Sequence, residues 1–263
     1  MTNLKNISDQ VARMLPLVGS DDLIPALVAL LREWALIDEV SMIAYPPVES
    51  PRIVYRENSQ GRLGLEDFLT GPFLLDPYYV TAVRRGEHGF FSLKQLAPTG
   101  FKSSEYYRIY YRFNGVLDEC GYIIALGEGG FLNLALERNQ GSRPFDRASL
   151  TRLRDLAPLV SALLVSHFES ASQHQGLDEP GPGLRAELEN ALTNFGHDVL
   201  TPREQQTINA ILHGHTSKAQ AHELGISIET VKLHRKNAYR KLAVRNQTEL
   251  FHMFIESLKG QCL

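Results

Sequence analysis

The sequence predicts an α+β domain, an antiparallel sheet with helices, followed by an all-α four-helix domain. Three observations carry that prediction. Through the first two thirds of the chain, β-branched and aromatic runs come in pairs separated by turn residues, whereas beyond residue 183 apolar residues recur at helical spacing. Between the two lies ASQHQGLDEPGPG (residues 171–183), a polar stretch ending in alternating proline and glycine that has the composition of a linker. Charge is also partitioned. From Val199 onward nine Lys or Arg face five acids, a balance of +4, while the rest carries −7 and the whole chain only −3. The predicted division is therefore residues 1–170 as the α+β domain, 171–196 as linker and lead-in helix, and 197–263 as a nucleic-acid-binding domain, since a basic module behind an acidic body suits a polyanion held at one end only.

A length of 263 residues with 43% apolar and 22% charged content suits two ordinary folded domains. The two cysteines, Cys120 and Cys262, give neither a disulfide framework nor a cysteine-rich metal site, which fits a reducing cytoplasm. No run reaches membrane-spanning length and the opening lacks a secretory pattern, so the expectation is a cytoplasmic protein with no membrane partner. The absence of a Walker loop, dinucleotide fingerprint, nucleophile elbow and HExxH argues against an enzyme and against a cofactor.

Residues 7–18 and 23–37 are helical in pattern, the second with Leu23, Leu27, Leu30, Leu31 and Trp34 at helical spacing and Pro25 compatible with its first turn. Trp34 reads as core. Residues 40–45 and 52–56, separated by PPVESP, form a hairpin. Residues 63–85 give short helices broken at Gly71-Pro72 and Asp76-Pro77, and a glycine-marked segment with Phe90, Phe91 and Leu93 follows. The run SSEYYRIYYRF reads as a helix capped by Ser103 or Ser104, with Tyr106, Tyr110 and Phe113 on one face and Tyr107 and Tyr111 beside them. Residues 120–126 and 131–137 around GEGG are a second hairpin, and residues 145–168 a long helix kinked at Pro158. Leu184, Leu188, Leu192 and Phe195 mark a lead-in helix able to pair with its copy in a second subunit.

In the last domain Thr201-Pro202-Arg203-Glu204 combines a capping box with proline at the first helical position, placing a helix start at Pro202 with Ile208, Ile211 and Leu212 inward. A second helix, residues 217–224, stops at Gly225, and Ser227 caps a third to which Glu229 adds favourable charge. Along that third helix Val231, His234, Ala238 and Leu242 share a packing face, and Lys232, Arg235, Lys236 and Tyr239 a cationic one. Thr230, Lys232, Leu233 and Lys236 are placed for base edges, with Glu229 at the helix start, while Lys218, Arg235, Arg240 and Arg245 suit phosphates. Asn246 with Glu249 caps a fourth helix whose Leu250, Phe251, Phe254 and Leu258 are expected to divide between core and dimer contact. His213, His215 and His234 read as structural residues and not as metal ligands.

The anchors LTPRE, LGIS, ETVKLH, YRKL and NQTEL resemble, in register, the C-terminal helix-turn-helix of the LuxR family, also called FixJ/NarL-type, over the last quarter of the chain. The resemblance implies a homodimer on double-stranded DNA at an imperfect inverted repeat, with the helix starting near Ile228 in the major groove, and leaves RNA polymerase open as a further partner. Two stretches depart from the family: Ala219-Gln220-Ala221 stands where Glu-Ile-Ala is usual, and Ala238 replaces a larger aliphatic residue.

The order of elements in the first domain resembles GAF or PAS sensors and the autoinducer-binding domains found in the same family. Asp76-Pro77 is similar to an Asp-Pro pair in the lactone receptors, whose aspartate binds the ligand amide; where those receptors carry an upstream tryptophan and tyrosine, Leu63 and Asp67 stand here. The aromatic density marks a candidate effector pocket of Asp76, Phe91, Tyr106, Tyr110, Phe113 and Tyr122. The resulting expectation is a transcription regulator controlled by a small-molecule effector. Its competitor is a constitutive DNA-binding regulator whose first domain contacts another protein.

Overall fold

The computed structural model describes residues 4–47, 49–57, 65–172 and 184–259. Helices α1 (Leu4–Met14) and α2 (Leu23–Trp34) open the chain; Pro16 in a short 3-10 turn ends the first earlier than its apolar pattern does. Strands β1 (Glu39–Tyr45) and β2 (Arg52–Arg56) form the first hairpin. Helices α3 (Leu65–Leu69) and α4 (Pro77–Val80) are short, as the prolines require, and α4 runs into a wide π turn at Thr81–Arg85. Strand β3 (Gly89–Ser92), α5 (Leu93–Leu96), a second π turn (Tyr107–Arg112), and the long strands β4 (Val116–Ala125) and β5 (Phe131–Asn139) follow. The five strands form an antiparallel sheet in the order β2-β1-β5-β4-β3.

Side chains alternate across a strand, so each strand serves both faces of this sheet. Met42, Ala44, Cys120, Tyr122, Ile124, Leu132, Leu134 and Leu136 point to one side. There they pack with α2 and with α6 (Arg147–Asp155) and α7 (Ala157–Ser172). The expected long helix is these two segments, divided at Leu156; Pro158 lies in the first turn of α7, where a missing N–H costs nothing. The other side carries Ile43, Tyr45, Ile123 and Phe131 and packs against Phe73, Leu74, Tyr78, Tyr79, Tyr106 and Tyr111.

Residues 173–183 of the expected linker, Leu63 and Cys262 lie outside the described residues. Helices α8 (Leu184–Asn194), α9 (Pro202–Leu212), α10 (Ser217–Leu224), α11 (Ile228–Lys241) and α12 (Gln247–Lys259) complete the chain. The apolar face of α8 does not wait for a second subunit. Leu188, Leu192 and Phe195 are buried against α12 and the Pro72–Leu75 turn, with Phe195 and Phe254 in edge contact at 5.4 Å. Leu250, Phe251, Phe254 and Leu258 are likewise buried within the chain, which corrects the expectation that a dimer contact uses them. Both faces are apolar because they pack on each other and on Gly71 and the Pro72–Leu75 turn of the first domain, and one sequence cannot distinguish a cover in cis from one in trans.

Candidate functional site

Local capping builds the helical domain. Thr201 Oγ1 accepts from Glu204 N (3.4 Å) and Glu204 Oε2 accepts from Thr201 N (2.8 Å), closing the capping box of α9. The same Glu204 oxygen accepts from Lys241 Nζ at 2.7 Å, which holds the buried carboxyl below its ordinary range and ties the start of α9 to the end of α11. Thr216 and Ser227 cap α10 and α11 through their hydroxyls, and Gly225 at φ 65° makes the turn between them, a conformation that glycine adopts without strain.

Val231 and Ala238 of α11 are buried against α9 and α10. Its opposite face is open: Lys232, Leu233, Arg235, Lys236 and Arg240 are exposed, Lys218 of α10 is exposed beside them, and Thr230 is half-buried with its hydroxyl 2.8 Å from Ser227 Oγ. Leu233 is 55% exposed, an apolar side chain among cations. Lys232 pairs with Glu229 at 2.9 Å, an exposed contact of little energetic weight. His234 is half-buried on this helix and not part of the core.

The helical domain sits on the first domain with this face outward. Backbone meets backbone at the seam: a Cβ on Gly100 would lie 2.6 Å from Gly214 O. Thr248 Oγ1 donates to Glu105 Oε1 (2.9 Å), and the Tyr79 hydroxyl donates to Glu189 of α8. His213 is buried there, its Nδ1 2.7 Å from Asn209 O; burial, reinforced by Arg84, lowers its pKa to about 4. At the departure from the family pattern, Gln220 is 1% exposed and its Nε2 donates to His215 O at 3.2 Å.

On the second face of the sheet lies a cavity of about 110 Å³, room for a small molecule and not merely one water. Its walls include Phe68, Tyr106 and Tyr110, and its floor takes Glu39, Ser41, Asn133, Ala135, Glu137 and Glu119 from three adjacent strands. Asp76 closes one end. It caps α4, accepting on Oδ1 from Tyr78 N (2.8 Å) and Tyr79 N (3.2 Å) and on Oδ2 from the hydroxyls of Tyr106 (2.8 Å) and Tyr111 (3.5 Å). Burial pushes the Asp76 carboxyl up, and these donors pull against that by favouring the ionised form. Glu119 is driven well above its ordinary range, first by burial and then by the charges of Asp76 and Glu137. Tyr106 and Tyr111 are likewise pushed far up by burial, Tyr110 to about 12, so all three phenols keep their protons.

Of the six pocket residues expected from sequence, Asp76, Tyr106 and Tyr110 line this cavity. Phe113 is 71% exposed. Tyr122 belongs to the other sheet face, where its hydroxyl donates to Leu153 O, and Phe91 packs at the side of the core without lining the cavity. Tyr111, Glu119 and Asn133 were missed. A π turn advances about one residue more per turn than an α-helix, so Tyr106 and Tyr111, five apart, both reach Asp76, where 3.6-residue spacing pairs Tyr106 with Tyr110. Ser104 does cap this segment, accepting from Tyr107 N at 3.1 Å.

The profile of bacterial regulatory proteins of the luxR family matches residues 198–254. An HTH-type transcriptional regulator in the exeN 3′ region of Aeromonas salmonicida is 32% identical over 186 residues, 70% of this chain and 94% of that protein. The transcriptional regulatory protein UhpA of Salmonella typhimurium is 42% identical over 59 residues, 22% of this chain and 30% of its own length. Among solved structures, the VqsR LBD domain from Pseudomonas aeruginosa is similar in fold (TM-score 0.54, 24% identity, 63% of this chain and 98% of that one). Among the described residues no helix is long and apolar enough to cross a membrane.

Proposed function

The chain belongs to the luxR family of bacterial transcription regulators and carries its helix-turn-helix domain, and from that premise we propose that a small-molecule effector bound beside Asp76 controls how α11 reads duplex DNA. The reading includes a cytoplasmic homodimer on an imperfect inverted repeat, with RNA polymerase as a downstream contact. Lys232, Leu233, Lys236 and Thr230 take the base edges; Lys218, Arg235 and Arg240 take phosphates. The observation that carries it is the outward face of α11, where Leu233 is 55% exposed between the exposed Lys232 and Lys236 and next to Arg235. A thymine methyl is the apolar partner that a groove offers there.

Control by an effector is supported by where Asp76 stands. The carboxylate that faces the cavity also caps α4; Tyr79 of α4 holds Glu189 of α8, and the π turn that continues α4 supplies Arg84 and Arg85 beside His213 and His215 at the seam. A ligand that engages Asp76 in one arrangement of this segment better than in another shifts the position of the helical domain.

Selection from randomised duplexes at modest ionic strength tests the DNA reading and should return a two-fold-related site. Lys232→Ala should then cost about 1–3 kcal/mol on that site and little on random duplex, while Lys218→Ala weakens both alike and lowers the salt dependence. No preferred sequence, or an equal loss on both duplexes for Lys232→Ala, refutes the assignment of α11.

A further inference from the structure

A second cavity, of about 240 Å³, opens at the seam between the two domains and is separate from the one beside Asp76. The first domain gives it Thr81 and Arg85 of the π turn that continues α4, and the helical domain gives it His213, His215 and Ala219. Two polar groups of its lining residues lack partners. Thr81 is 1% exposed and His213 9%, and neither Thr81 Oγ1 nor His213 Nε2 has a hydrogen bond. A buried polar group left unpaired is destabilising, and two of them, one from each domain, mark a place that a polar ligand completes.

The other ring nitrogen fixes what His213 offers. Its Nδ1 lies 2.7 Å from Asn209 O, and a carbonyl only accepts, so Nδ1 carries the proton and Nε2 of the neutral ring is a bare acceptor. The charges acting on this ring are those of Arg84 and His215, both of which oppose its protonation; Glu223, exposed on α10, acts on His215. Arg84 and Arg85 are exposed, and neither forms a hydrogen bond or an ion pair among the described residues. Ala219, in the first turn of α10, sets the positive end of that helix on the same side. Among the described lining residues there is no Asp or Glu, and Leu75, Val80, Leu96 and Pro98 add an apolar wall. Positive charge, a hydroxyl and a ring that needs a proton, beside apolar surface, are complementary to an oxyanion that carries a hydrocarbon part.

We infer that this cavity binds a small organic acid whose carboxylate pairs with Arg85, accepts from the Thr81 hydroxyl and shares a proton with His213 Nε2, while its apolar part lies along Val80 and Leu96. The site stands apart from the effector reading at Asp76. At neutral pH the acid arrives ionised and His213 neutral, two acceptors that repel until one proton from solvent enters between them. The bound anion then offsets the burial that lowers the ring's pKa to about 4 in the free protein. Binding therefore takes up a proton and weakens as pH rises. Because residues of both domains make the site, its occupant favours the arrangement in which the domains are docked.

Calorimetric titration of the full chain with butyrate, butanol, butylammonium and inorganic phosphate tests this, in two amine buffers of different ionisation enthalpy at about pH 6, where a free carboxylate is ionised. Butyrate should bind best, with about one proton taken up per molecule bound. Arg85→Gln, a change on the exposed surface, should weaken butyrate by about tenfold or more, Thr81→Val should weaken it less, and His213→Gln should remove the proton uptake. If butanol or butylammonium binds as well as butyrate, if phosphate binds better, or if Arg85→Gln leaves butyrate unchanged, the assignment is wrong. It is equally wrong if no probe binds, since Thr81 and His213 then share no more than water. Should His213→Gln not fold, Arg85→Gln and the buffer comparison on the unaltered chain decide.

Discussion

The two faces of the one sheet are made by the same strands and do opposite work. Toward α2, α6 and α7, β5 offers Leu132, Leu134 and Leu136; toward the cavity it offers Asn133, Ala135 and Glu137. The first set is closely packed aliphatic surface, and its burial stabilises the domain by roughly 25 cal/mol per Å². The second carries Glu137 and Asn133, and Asn133 Oδ1 is buried without a hydrogen-bond partner, which lowers stability. Period-two alternation lets one sheet carry an aliphatic core on one face and a polar cavity floor on the other.

The largest effect expected from that contrast is on the packed face. Leu134 is fully buried, and Leu134→Ala should cost about 2–5 kcal/mol, read as a lower midpoint in urea with an unchanged slope. A cost below about 1 kcal/mol would mean that the face relaxes around the void, and the distinction between the two sides would weaken.

How far each region could be read from sequence follows from how local its determinants are. Thr201 with Glu204, Ser227 and Gly225 act within four residues of themselves, so the starts of α9 and α11 and the exposed Lys232, Leu233 and Lys236 were legible. Glu119 and Asn133 become cavity residues only through pairing with strands that lie elsewhere in the chain, and Tyr111 only because the backbone widens into a π turn. Tyr122 was misplaced by the same deficit: being aromatic says nothing about which face of β4 it takes. Phe113 followed from an α-helical period that the segment does not keep.

Two buried titratable groups sharpen the comparison between cavity and seam, because their pH dependences run in opposite senses. His213 at the seam is held neutral, its pKa lowered from 6.5 to about 4. It contributes stability that is present above 6.5 and is lost as pH falls toward 4, about 3 kcal/mol in all if the folded form stays intact. Thermal melts from neutral to acid pH should show this loss and His213→Gln should flatten it; an equally steep loss in the variant assigns it to other groups. Glu119 is raised from 4.5, so its contribution is full below that pH and diminishes as pH rises toward its folded value. Glu119→Gln should therefore stabilise the empty protein progressively as pH rises above 4.5, with no such gain in acid. A gain confined to acid would reverse the sign and refute the proton held at Glu119.

The smallest stability effect bears most directly on why the cavity face is polar. Asn133 lies between Ile43 and Ile123 in register, so a β-branched apolar residue fits the strand and its neighbours on both sides. Asn133→Val removes a buried acceptor that has no partner and should raise stability by about 1 kcal/mol, read as a higher urea midpoint. If the variant instead loses about 1 kcal/mol, Oδ1 is satisfied in the free protein, and the cavity face is simply a polar core that resembles the packed face more closely than its composition suggests.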